Sequence, residues 1–166
     1  MMTVFHLMHK FNLKIEEIDA LTGTLTGKPK SASFRTADVV GIDTLIKVAN
    51  GIFQNCENDE QKSTFIIPAY VLKLAECKWL GDKSGQGFYK MVKSNNKKEI
   101  QVFDPNTNEY ISQIKPKSST IELKSIDLLE KRLIAIHKSK DNHADFLRTL
   151  NYHLFGYISF RIPEIS

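Results

Sequence analysis

Cysteine is scarce in this chain: Cys56 and Cys77 are the only two among 166 residues. Their spacing matches neither a metal-binding pair nor a redox pair, and two sulfurs cannot make a disulfide-rich scaffold. Both read as free thiols of a reducing compartment. Long apolar runs are missing as well, and none approaches the roughly 20 residues that cross a bilayer. The start, Met1-Met2-Thr3-Val4-Phe5-His6, lacks the basic region and extended apolar stretch of a signal peptide. These absences point to the cytoplasm and away from a membrane. Low-complexity tracts and tandem short repeats are also missing. So is any alternation of strands with helices, which argues against a complete nucleotide-binding α/β domain.

What is present is ordinary for a folded chain. Hydrophobic residues make up 42% and charged residues 25%, close to globular averages, and a chain of this length can bury a real core. The net charge of +4 is mildly basic. It admits an anionic cofactor, nucleic acid or an acidic neighbouring domain without selecting among them. Lys90, Lys93, Lys97 and Lys98 are not interleaved with aromatic residues as on a single-strand binding platform, so nucleic acid is not the expected partner.

Apolar spacing predicts a run of helices. Val4, Phe5, Leu7, Met8 and Phe11 form a helical stripe with no polar cap before it, as in a helix cut through its length. Leu13, Ile15, Ile18 and Leu21 mark a second helix, ended by Gly23 or Gly27. Lys28-Pro29-Lys30-Ser31-Ala32 is a proline loop, and residues 34–41 are one or two helical turns broken at Gly41. Residues 42–53 predict a longer helix with Ile42, Leu45, Ile46, Ala49 and Phe53 on one face. After a polar loop at 55–60, Pro68 suits the first turn of a helix carrying Val71, Leu72, Ala75 and Trp79 inward. Beyond Gly81 comes a loop, then a short strand at 88–92. A hairpin follows, formed by 99–103 and 109–114 around Asp104-Pro105-Asn106-Thr107-Asn108. A linker at 115–119 leads to two closing helices, 126–137 and 143–160. The second ends before Pro163 and has Asp141 or Asn142 as its cap.

Several patterns could carry chemistry. Gly85-Gln86-Gly87-Phe88-Tyr89-Lys90 lacks the third glycine and the preceding strand of a dinucleotide loop, so its glycines read as tight-turn residues. His6 and His9 have a metal-sharing spacing but no third ligand nearby, and no metal site is expected. His137, His143 and His153 have no nucleophile in a recognisable setting, and His153 reads as a hydrogen-bonded packing residue. Asp38 and Asp43 straddle Gly41 as an acid/base pair would, although capping and first-turn roles explain them more economically. Lys28, Lys30 and Arg35 surround the proline loop beside a helix start. A phosphate held by charge and free N–H groups, a solvated surface, and internal ion pairs all remain open for this cluster.

Two longer segments are more specific. Gly27-Lys28-Pro29-Lys30-Ser31-Ala32-Ser33-Phe34-Arg35-Thr36-Ala37-Asp38-Val39-Val40-Gly41-Ile42-Asp43-Thr44-Leu45 resembles the signature of the C-terminal domain of 3-hydroxyacyl-CoA dehydrogenases, above all the long bacterial and archaeal forms. Trp79-Leu80-Gly81-Asp82-Lys83-Ser84-Gly85-Gln86-Gly87-Phe88-Tyr89-Lys90 is similar to the segment that closes that domain, and residues 126–166 resemble the start of a second, related helical domain. The resemblance implies a mainly α fold like the C-terminal domain of 6-phosphogluconate dehydrogenase, with a small β-hairpin and a partial second helical unit. The implied division is 1–93 for the helical domain with its first helix truncated, 94–118 for hairpin and linker, and 119–166 for the second unit's start.

The implied parent enzyme oxidises 3-hydroxyacyl-CoA to 3-ketoacyl-CoA with NAD in fatty-acid β-oxidation. Its histidine base, held by a glutamate, belongs to the N-terminal NAD-binding domain, as does the NAD site. None of the five histidines here inherits that role, and this chain is expected to bind no NAD and to be inactive alone. Its implied contribution is part of the acyl-CoA cleft wall and homodimer contacts. Lys28, Lys30, Arg35, Lys83 and Tyr89 are the substrate-side candidates, chosen for charge and loop position. The rival reading is a stand-alone helical protein-interaction module without a substrate.

Overall fold

The computed structural model describes residues 1–94 and 97–165. It contains eight α-helices and one three-stranded antiparallel sheet. The helices are α1 (Met2–Lys10), α2 (Ile15–Thr22), α3 (Phe34–Val40), α4 (Ile42–Asn55) and α5 (Ala69–Glu76), followed after the sheet by α6 (Ser119–Glu122), α7 (Leu129–Lys138) and α8 (Asn142–Ile165). The strands are β1 (Tyr89–Ser94), β2 (Lys97–Asp104) and β3 (Glu109–Ser112), in the order β1-β2-β3. The expected mainly α architecture with a small hairpin is therefore what the chain forms. The short strand expected at 88–92 is longer and pairs with β2, making the hairpin two-thirds of a sheet.

The core follows from the apolar stripes. Val4, Phe5, Leu7 and Met8 of α1 and Ile15, Ile18 and Leu21 of α2 are all buried. An aromatic cluster knits the first half together. The Phe5 and Phe34 rings stack at 4.9 Å, and Phe88 meets them at 5.6 and 4.8 Å, the offset and edge geometries that aromatic quadrupoles favour. Phe146, Leu147 and Leu150 of α8 and Ile136 of α7 join the same continuous core. Arg132 of α7 reaches back, its Nε donating to the Leu25 carbonyl at 2.8 Å.

Local differences from the expected faces have simple causes. Leu72 is exposed, while Val71 and Leu74 point inward; these two lie three apart and share a face that Leu72 leaves by one helical step. Phe53 stands exposed at the far end of α4, with the Lys62 ammonium 5.0 Å from its ring centre. The turn between β2 and β3 forms as its residues predict: Asp104 Oδ1 accepts from the Asn106 N–H at 2.9 Å, and Asn108 takes the left-handed conformation. Asp141 caps α8, accepting from the Ala144 N–H at 2.9 Å. Unlike the expected helix, α8 continues through Pro163 to Ile165, and the Arg161–Glu164 ion pair spans that step. No helix among the described residues is long and apolar enough to cross a membrane.

Candidate functional site

The two signature segments meet in space at a pair of inward-facing carboxylates. Asp38, on the inner face of α3, accepts hydrogen bonds from the N–H of Phe88 at 2.8 Å and of Tyr89 at 2.9 Å. Asp19, on α2, accepts from the N–H of Ser33, Phe34 and Arg35 and from the Tyr89 hydroxyl at 2.9 Å. Tyr89 thus bridges both carboxylates, one through its backbone and one through its side chain. Burial pushes each carboxyl up to about 6, against the pull of these donors. The expected capping role of Asp38 is not what the structure shows: it ties α3 to the turn entering β1. Asp43 does lie in the first turn of α4 and pairs with Lys83.

Close approach explains the glycines of this turn. A Cβ at Gly81 would come within 2.2 Å of the Asp38 carbonyl oxygen, and one at Gly87 within 2.1 Å of Asp38 Oδ1. Only hydrogen fits there. The loop is also unsuited to a pyrophosphate: the N–H groups that follow Gly87 are already engaged by the Asp38 carboxylate, whose charge would repel one. The described residues of this turn therefore do not fit the phosphates of NAD.

The five substrate-side candidates separate into two sets. Arg35 forms a two-pronged pair with Asp82 and lies 3.9 Å from Asp38. Lys83 pairs with Asp43. Tyr89 is not a loop residue: it begins β1, and its hydroxyl is held by Asp19. Lys28 and Lys30 instead lie exposed on the proline loop, and among the described residues neither has a carboxylate within ion-pair distance. Of the five residues, only Lys28 lines the open groove of about 570 Å³ found among the described residues. Its walls come from the start of α1, from α4 and from α8, and include Val40, Leu45, Val48, Ile52, Leu150 and Leu154.

The histidines are scattered. His6 Nε2 lies 3.0 Å from the Thr64 carbonyl, and the His9 ring sits edge-on to Tyr70 at 5.1 Å. His143 is buried against Glu17 at 3.2 Å, whereas His137 is exposed. His153 is exposed as well, not packed as its helix suggests. Cys56 and Cys77 are free. Sequence reasoning overlooked Asp19, although a signal was there: Asp19 and Asp38 each fall four residues after a buried apolar side chain, Ile15 and Phe34. A carboxylate on a buried helical stripe needs donors.

Comparison with known proteins fits this geometry. Residues 1–91 match the family described as 3-hydroxyacyl-CoA dehydrogenase, C-terminal domain. A probable 3-hydroxyacyl-CoA dehydrogenase of Bacillus subtilis is 43% identical over 115 residues, which is 69% of this chain and 14% of the relative. One of Deinococcus radiodurans is 41% identical over 86 residues, 52% of this chain and 24% of the relative. The chain thus spans less than a quarter of the length of these curated relatives. No solved structure matches significantly. Both signature segments and the Asp38 clamp that joins them fall inside the matched region, and the chain belongs to the family of 3-hydroxyacyl-CoA dehydrogenase C-terminal domains.

Proposed function

We propose that this chain is the helical C-terminal portion of an NAD-dependent 3-hydroxyacyl-CoA dehydrogenase of fatty-acid β-oxidation. Alone it is inactive, and it supplies part of the acyl-CoA cleft wall together with dimer contacts. The observation that carries this reading is the apolar groove with Lys28 on its rim. Apolar walls suit an acyl chain, and an unpaired ammonium suits a phosphate or thioester oxygen. Lys30 on the same loop adds charge, while Arg35, Lys83 and Tyr89 position that loop's surroundings through their carboxylate partners. In this reading NAD and the base that takes the hydroxyl proton belong to the parent's N-terminal domain, which is a partner of this surface.

The tail supports a further element of the same reading, the start of a second helical domain at 119–166. Residues 153–165 repeat residues 6–18: His6, Leu7, Ile15, Glu17 and Ile18 have His153, Leu154, Ile162, Glu164 and Ile165 at matching places. In the repeat, Leu154, Phe155 and Ile158 are exposed. Clustered exposed apolar side chains mark an interface, and we assign self-association to this face.

Isothermal titration with acetoacetyl-CoA and, separately, NAD tests the proposal. Weak acyl-CoA binding that Lys28→Glu abolishes, with no heat from NAD, is the expected result. Absence of acyl-CoA binding would remove the cleft-wall role and leave a structural, dimerising unit, and tight NAD binding would contradict the reading of the Gly85–Gly87 turn.

A further inference from the structure

At the other end of α1 lies a second cavity that the dehydrogenase reading does not use. It encloses about 320 Å³ between the α1–α2 corner and the β2–β3 turn, and shares no lining residue with the apolar groove. Its wall includes Glu16, Asp104 and Asn106 beside the apolar Val102, Phe103 and Ile111. Glu16 is only 4% exposed, yet its Oε1 has no hydrogen-bond partner. Buried carboxylates are otherwise satisfied in this protein, as Asp19 and Asp38 show. A desolvated acidic oxygen without a donor is costly and points to a ligand that supplies one.

The surrounding charges narrow the chemistry. Glu17, also on this wall, is engaged by His143 and by the Lys14 N–H, and Asp104 Oδ1 is engaged by Asn106. Lys14 lines the rim, but its ammonium is not within ion-pair distance of either Glu16 or Asp104 among the described residues. In a chain of net charge +4, this cavity is locally acidic. Among the described residues no group of three His, Cys, Asp or Glu side chains converges to hold a metal ion, which favours an organic cation. We propose that the cavity binds an alkylguanidinium or alkylammonium group, its charged head paired with Glu16 and its stem lying along the Val102–Ile111 cross-strand pair. A guanidinium matches a carboxylate with two parallel donors, and the apolar strip receives the methylenes.

The test is a ¹H–¹⁵N chemical-shift titration of the full chain with n-butylguanidinium, with neutral n-butylurea and sodium chloride as controls. Saturable shifts at the amides of Glu16, Phe103 and Ile111 are expected. Binding should weaken about tenfold to a hundredfold with n-butylurea and in Glu16→Gln, the range for losing a hydrogen bond to a charged group. Shifts that track salt alone, or equal affinity for the urea, would overturn the proposal. That comparison within the wild type still decides it should Glu16→Gln fail to fold. A capped Gly-Arg-Gly peptide identifies the source: binding as tight as n-butylguanidinium assigns the cavity to an arginine side chain of a polypeptide, and its exclusion assigns the cavity to a free cation.

Discussion

Residues 6–18, which span α1 and the start of α2, and residues 153–165 of α8 share side chains at matching places and meet opposite fates. Leu7, Met8 and Ile15 are 4, 2 and 1% exposed, whereas their counterparts Leu154, Phe155 and Ile162 are 48, 60 and 52% exposed. The first stripe is covered by α2, by the first half of α8 with Phe146, Leu147 and Leu150, and by the aromatic cluster of Phe5, Phe34 and Phe88. The second meets the body through Tyr157, whose hydroxyl donates to Asp59 at 2.8 Å, through Arg161, which pairs with Asp59 and Glu60, and through the His153 carbonyl, which accepts from Gln61. The lesson is that an apolar period specifies a face to be buried but not whether its cover is present. Beyond Asn151, α8 leaves Leu154, Phe155 and Ile158 exposed, and the proposed second domain and partner surface would cover them.

Matched substitutions should make the contrast quantitative. Met8→Ala should cost about 2–5 kcal/mol, as truncation in a close-packed core does, while Phe155→Ala should stay within about 0.5 kcal/mol; urea denaturation measures both. Equal losses would erase the difference between the two helices. Next in size, Asp38→Ala should cost about 2–4 kcal/mol by leaving the N–H groups of Phe88 and Tyr89 buried without an acceptor. The same experiment should show a smaller loss for Asp38→Asn, which keeps one acceptor.

A smaller effect concerns pH. Asp19 and Asp38, each pushed up to about 6, hold a proton more tightly in the folded protein than in the unfolded chain. Their titration therefore adds stability in full below about pH 4, and that increment is lost as pH rises through about 6. Unfolding free energies between those values should fall less steeply in Asp38→Asn than in the wild type. Identical slopes would place the Asp38 carboxyl in its ordinary range. Smallest in its effect on the fold, Phe155→Glu should leave stability nearly unchanged but shift sedimentation of a concentrated sample from dimer towards monomer. A wild-type chain that stays monomeric would remove the assigned interface.

Much of the fold was legible in the residues because burial repeats with the helical period. The stripes of α1 and α2, the break at Gly41, the Asp104–Asn108 turn and the Asp141 cap all follow from local rules. The inward carboxylates were harder to see, since the donors of Asp19 and Asp38 come from residues distant in the chain. The partners of Arg35 and Lys83 were invisible for the same reason: Arg35 of α3 reaches Asp82 in the loop and Lys83 of that loop reaches Asp43 of α4, neither pair lying along one helix. Glu16 shows the limit most clearly. Its neighbours in sequence make it look like an exposed first-turn acid, and only packing against β2 reveals it as a buried group without a donor.

Hydrogen exchange on the dilute chain tests the central contrast most directly. Amides of α1 should exchange only through global unfolding, while those of α8 beyond Asn151 should exchange far faster through local opening. Equal protection along both helices would mean that the second face is already covered, contradicting the account.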